Sequence, residues 1–72
     1  MSLEVRISEP LLLDELVRAL LRRGCVAHRS GSFSCSVVHV HAADAQEAEI
    51  EVGLFVRAWL LANPGISATV GT

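Results

Sequence analysis

Cysteine is scarce in this chain, lysine is absent, and no apolar stretch is long. Two cysteines, Cys25 and Cys35, are too few for the disulfide frameworks that staple small secreted domains. Their spacing is not C-x-x-C, which removes the thioredoxin-like and heavy-metal-carrier signatures. Without lysine, the positive charge comes from six arginines set against eight acidic residues, for a net charge of −2. No basic patch dominates, so nucleic acid is not expected as a partner. The adjacent Arg22 and Arg23 fall at the expected end of a helix, where cations complement the dipole. No apolar run approaches the ~18 residues of a membrane span, and Met1-Ser2-Leu3 lacks the basic and apolar regions of a leader. The expectation is a cytoplasmic chain with no membrane partner. There is no Gly-rich phosphate loop, nucleophile elbow or oxyanion loop, and no cofactor is implied.

What the chain does have is hydrophobicity packed into a small length. Its 72 residues make one domain, residues 1–72, and a domain of that size buries only about 60% of its unfolded surface. With 51% hydrophobic residues, disorder is excluded and part of the apolar excess must lie outside, where extended patches mark interfaces.

Leu3-Glu4-Val5-Arg6-Ile7 alternates as a half-buried strand does. Ser8-Glu9-Pro10 then opens a helix, with Ser8 as N-cap and Pro10 in the first turn. Leu12, Leu13, Leu16, Val17, Leu20 and Leu21 form its apolar stripe, and Gly24 is its C′ residue. Cys25 to Arg29 and Ser32 to His41 read as a β-hairpin around Arg29-Ser30-Gly31, with Gly31 left-handed in a G1 bulge. That register places Cys25 opposite Cys35, Val26 opposite Ser34, Ala27 opposite Phe33 and His28 opposite Ser32. Cys25, Ala27, Phe33, Cys35 and Val37 then face the core. Val26, His28, Ser32, Ser34, Ser36, Val38 and Val40 form the other face, a small-residue surface without charge.

Asp44-Ala45-Gln46-Glu47 starts a second helix in the manner of a capping box, and Asn63-Pro64-Gly65 stops it. At about 100° per residue, Ala48, Val52, Phe55, Trp59 and Ala62 share a core-facing side. Ile50, Leu54 and Leu61 lie about half a turn away, with Arg57 among them, on a stripe the small domain has nothing left to cover. Ile66 to Val70 alternates as a final strand. Strand-helix-strand-strand-helix-strand is the ferredoxin-like split βαβ arrangement: an α+β domain with a four-stranded antiparallel sheet in the order 4-1-3-2 and both helices on one face. The competing architecture is an α+β domain whose terminal strands pair with a neighbouring chain.

Constellations that could carry chemistry are thin. Cys25 and Cys35, opposed in the hairpin, are either a disulfide or two small buried hydrophobes. His39 and His41, at i and i+2, point the same way from a strand and could begin a metal site, although a third ligand is lacking; the competing role is at the rim of the core. Glu47, Glu49 and Glu51 suit a solvated helix flank. Acylphosphatases share the topology, but the Arg and Asn their chemistry needs have no match here. RNA-recognition domains share it too, and they need aromatics where this sheet face offers Ser and Val.

Ile7-Ser8-Glu9-Pro10, the Leu-rich segment from Leu11 to Leu21 and the closing Gly24 together resemble the start of an ACT domain, a small regulatory module that binds amino acids. The helix opening at Asp44 to Glu47 and the entry of Gly65-Ile66 into the last strand are similar as well. The resemblance implies pairing between copies, and a ligand site at Ser8, Glu9, Pro10 and Leu11. The chain departs from the ACT pattern at Leu11, where a Gly usually lets backbone N–H groups approach a ligand carboxylate. The reading that follows is a non-enzymatic association or regulatory domain. It is expected to be a homodimer, with Ile50, Leu54, Leu61, Val38 and Val40 as its interface. The alternatives are ACT-like binding of an amino acid or other small molecule, and a metal-binding or enzymatic protein built on His39 and His41.

Overall fold

A computed structural model describes residues 2–71; Met1, part of the opening segment read above, and Thr72 lie outside them. The elements follow the expected order: β1 (Leu3–Ile7), a 3-10 turn (Pro10–Leu12), α1 (Leu13–Arg22), β2 (Cys25–Arg29), β3 (Ser34–His39), α2 (Ala45–Leu61) and β4 (Ala68–Gly71). The four strands form one sheet in the order β2-β3-β1-β4, each neighbour antiparallel. This is a ferredoxin-like α+β fold. Strand alternation decides which side is buried: Leu3, Val5 and Ile7 of β1 and Cys35 and Val37 of β3 are sealed against Leu13, Leu16 and Leu20 of α1 and Val52 and Val56 of α2.

The helix ends are built as their residues dictate, with one exception. The Asp44 carboxylate accepts the Glu47 N–H at 2.8 Å and caps α2. At the other end Asn63 donates its side-chain amide to the Trp59 carbonyl at 2.9 Å, and Gly65 turns the chain away at φ +88°. Gly24, also at φ +88°, closes α1. The exception is Ser8, which does not cap a helix. Its backbone N–H donates to the Ser67 carbonyl at 2.9 Å and its hydroxyl accepts the Ser67 N–H at 3.0 Å, joining the end of β1 to the approach to β4. Glu9 takes the capping place, its carboxylate accepting from Leu11 N–H at 3.3 Å.

The hairpin register differs from expectation. Cys25 pairs with His39, Val26 with Val38, Ala27 with Val37, His28 with Ser36 and Arg29 with Cys35. The two strands are therefore displaced by four residues relative to the tight-turn register, around a longer loop. Gly31 is not left-handed; instead the Ser30 and Gly31 N–H groups both donate to the Ser34 carbonyl. The displacement is even, so every strand residue keeps its face, and only Phe33 leaves the core for the loop, where it is exposed. Cys25 and Cys35 are buried free thiols, not cross-strand partners.

On α2 the innermost residues are Val52 and Val56, flanked by Ala48, Phe55, Trp59 and Leu60; Ala62, placed in the core stripe by periodicity, is exposed just past the last turn. The open face of the sheet is not free of charge. β1 is central, and its Glu4 and Arg6 stand beside Ser36 and Ser34. Among the described residues no helix is long and apolar enough to cross a membrane.

Candidate functional site

The outer face of α2 stands open. Ile50, Leu54 and Leu61 are 56%, 53% and 83% exposed, about half a turn from buried Val52 and Val56. Arg57 lies on the same stripe and is also exposed. Beside Ile50, at the start of the helix, a hollow of about 330 Å³ is lined by Asp44, Gln46, Glu47, Ile50 and Glu51. The stripe is thus acidic at its N-terminal end and basic past its middle. Neither Glu47 nor Arg57 forms an ion pair with another described residue.

Gly53, on the edge of this stripe, has a signal that sequence periodicity passes over. Glycine inside a helix costs about 1 kcal/mol relative to alanine. An added Cβ there would meet no atom of the described residues within 4 Å, so packing inside the chain does not require the missing side chain.

The other two expected interface residues lie elsewhere. Val38 is exposed with Val26, its direct pairing partner, on the β2–β3 side of the open sheet face, and Val40 is exposed in the turn just past the end of β3. The helices cover the opposite face, so Val38 belongs to a different patch from Ile50, Leu54 and Leu61. A two-fold contact uses one patch from each copy.

At the loop between β1 and α1, Ser8, Glu9, Pro10 and Leu11 have little to offer a carboxylate. The Ser8 N–H is spent on Ser67, that of Leu11 on Glu9, and that of Leu12 on the Glu9 carbonyl; proline has none. Of the four, Ser8 alone lines the adjacent hollow of about 190 Å³, which it shares with Arg6, Ile7, Ser67, Ala68 and Thr69.

His39 and His41 are not a matched pair. His39, on β3, has its side chain almost wholly buried on the helix side, where Nε2 bonds the Glu51 carboxylate and the ring tilts against Phe55 at 5.7 Å. Its Nδ1 is buried without a partner among the described residues. His41 lies beyond the strand end, exposed, against Gly24. No group of three or more His, Cys, Asp or Glu among the described residues is arranged to hold a metal ion. Cys25, His39 and Glu51 nonetheless come together through the pairing of β2 with β3, a juxtaposition that the tight-turn register conceals. Burial, with Glu51 nearby, pushes the Cys25 thiol up, and burial pushes Cys35 up to about 11. A nucleophilic cysteine needs the opposite shift, so both thiols stay protonated at neutral pH.

The serines have structural partners. The Ser30 hydroxyl donates to Glu4 at 3.0 Å and lies 3.1 Å from that of Ser34, binding the β2–β3 loop to the central strand. Fold and site together define a small ferredoxin-like domain with an uncovered helix face. No protein-family model, curated protein or solved structure matches the chain.

Proposed function

We propose that this is a non-enzymatic association domain that pairs with a second copy of itself through α2. The observation that carries the reading is the exposed Ile50–Leu54–Leu61 stripe, whose Glu47-to-Arg57 stretch is complementary to its own reverse. Laid antiparallel about a two-fold axis that crosses the outer side of α2 at the level of residue 52, Ile50 of one copy meets Leu54 of the other, and Glu47 meets Arg57. Such self-complementarity is what an isologous contact requires. The acidic hollow beside Ile50 receives the guanidinium, and Gly53, at the edge of the stripe and one residue from the axis level, leaves the flank of the contact without a side chain. The partial ACT-like pattern of the chain agrees with pairing between copies, and the engaged N–H groups of Ser8 and Leu11, with none on Pro10, favour pairing over amino-acid capture there.

Size-exclusion chromatography with light scattering tests this. Wild type is expected at twice the chain mass at micromolar concentration, and Leu54→Glu at the chain mass with its circular dichroism intact. Val38→Glu, on the opposite face, should remain dimeric. A monomeric wild type overturns the proposal; a Val38→Glu variant that dissociates while Leu54→Glu does not would move the contact to the sheet.

A further inference from the structure

Between α1 and α2 lies a cavity of about 220 Å³ whose lining includes Leu16 and Leu20, Phe55 and Trp59, with Arg22 and Arg23. Its walls are apolar and aromatic, and its charged groups are both cations. Both arginines are exposed, and neither forms an ion pair or donates a side-chain hydrogen bond to another described residue; the ion pairs there are Arg29 with Asp14 and His39 with Glu51. The Arg23 guanidinium carbon stands 5.5 Å from the centre of the Phe55 ring, a cation–π contact that uses none of its N–H donors. The negative end of α1 amounts to about half a charge, so two full cations outweigh it. In a chain of net charge −2, this is a local cationic excess beside an aromatic wall.

We propose that this cavity binds a small aryl carboxylate, its ring against Trp59 and Phe55 and its carboxylate on Arg22 and Arg23. Drug-sized ligands occupy about 300–1,000 Å³, and this smaller space suits a molecule of one ring or two. Guanidinium groups give a carboxylate paired, charge-assisted hydrogen bonds, and the anion relieves the repulsion between neighbouring cations. The helix-dipole role read from sequence for Arg22 and Arg23 is compatible with this one.

Trp59 is the one tryptophan of the chain and lines the cavity, so its emission reports directly. Titration of the full chain with phenylacetate should shift that emission saturably. Phenylacetamide, the same shape without charge, should bind at least about tenfold more weakly, as should phenylacetate to Arg22→Gln/Arg23→Gln. The response should survive in Leu54→Glu, which separates this site from the dimer contact. Absence of a saturable shift with phenylacetate overturns the proposal. So does equal binding of the amide, or undiminished affinity in the double variant.

Discussion

His39 and Glu51 tie the sheet to α2 through a bond that joins a buried ring nitrogen to a partly exposed carboxylate. A buried polar atom deprived of its partner costs about 1–3 kcal/mol, whereas replacing both partners with apolar groups of similar shape is nearly neutral. Glu51→Leu is therefore expected to lower stability by that amount. His39→Phe/Glu51→Leu should recover most of the loss, because it also removes the unpartnered Nδ1. Urea unfolding in the Leu54→Glu background, where dimerisation does not contribute, measures both; a double variant less stable than the single one would contradict the account. The same scale shows what a linear reading misses. His39 and His41 look equivalent at i and i+2, yet β3 ends at His39, and alternation does not extend past a strand's end.

At the scale of elements, Gly53 separates two accounts of α2. In a monomer, Gly53→Ala simply stabilises the helix by about 1 kcal/mol, since the space is open. Against a second helix the added methyl sits on the flank of the proposed contact, at the level of its axis, and opposes close approach. The expected outcome is a higher melting temperature in the Leu54→Glu background together with a weaker dimer in the wild-type background, read by light scattering across a dilution series. An unchanged dimer would place the contact away from Gly53. The strands make a related point. The tight Arg29-Ser30-Gly31 turn is an economical local solution, but β3 also pairs with β1, where Val5 meets Cys35 and Leu3 meets Val37. The register of β3 answers to that central strand and to the Ser30 loop bonded to Glu4, neither of which lies within the hairpin.

For the molecule as a whole, a single small core leaves little stability in reserve, so a partner that binds only the folded state raises it by mass action. The melting temperature of wild type is expected to rise with protein concentration, and that of Leu54→Glu to stay constant. A concentration-independent wild type, measured by circular dichroism over a hundredfold range, would speak against association. Much of the architecture was legible in advance at this scale. Six elements in βαββαβ order and the burial of Leu13, Leu16, Leu20, Val5 and Val52 follow from period-2 and period-3.6 patterns with their caps, and the strand order follows from the split βαβ arrangement that this element order matches.

The sequence by itself determined most of the inward-facing residues, with Phe33, Ala62 and Val56 among the exceptions, because burial of an apolar stripe depends chiefly on spacing along one element. It likewise determined that Ile50, Leu54 and Leu61 stand on the side of α2 away from the core. Only the tertiary structure decided who meets whom. It moved Cys25 from Cys35 to His39, placed Glu4 and Arg6 among the serines of the open face, set Val38 on a different face from Ile50, Leu54 and Leu61, and set Arg22 and Arg23 beside Trp59 and Phe55. The physical reason is that a register displaced by an even number of residues leaves every face unchanged while exchanging every neighbour. Faces are local, whereas neighbours are settled jointly by loops and the central strand.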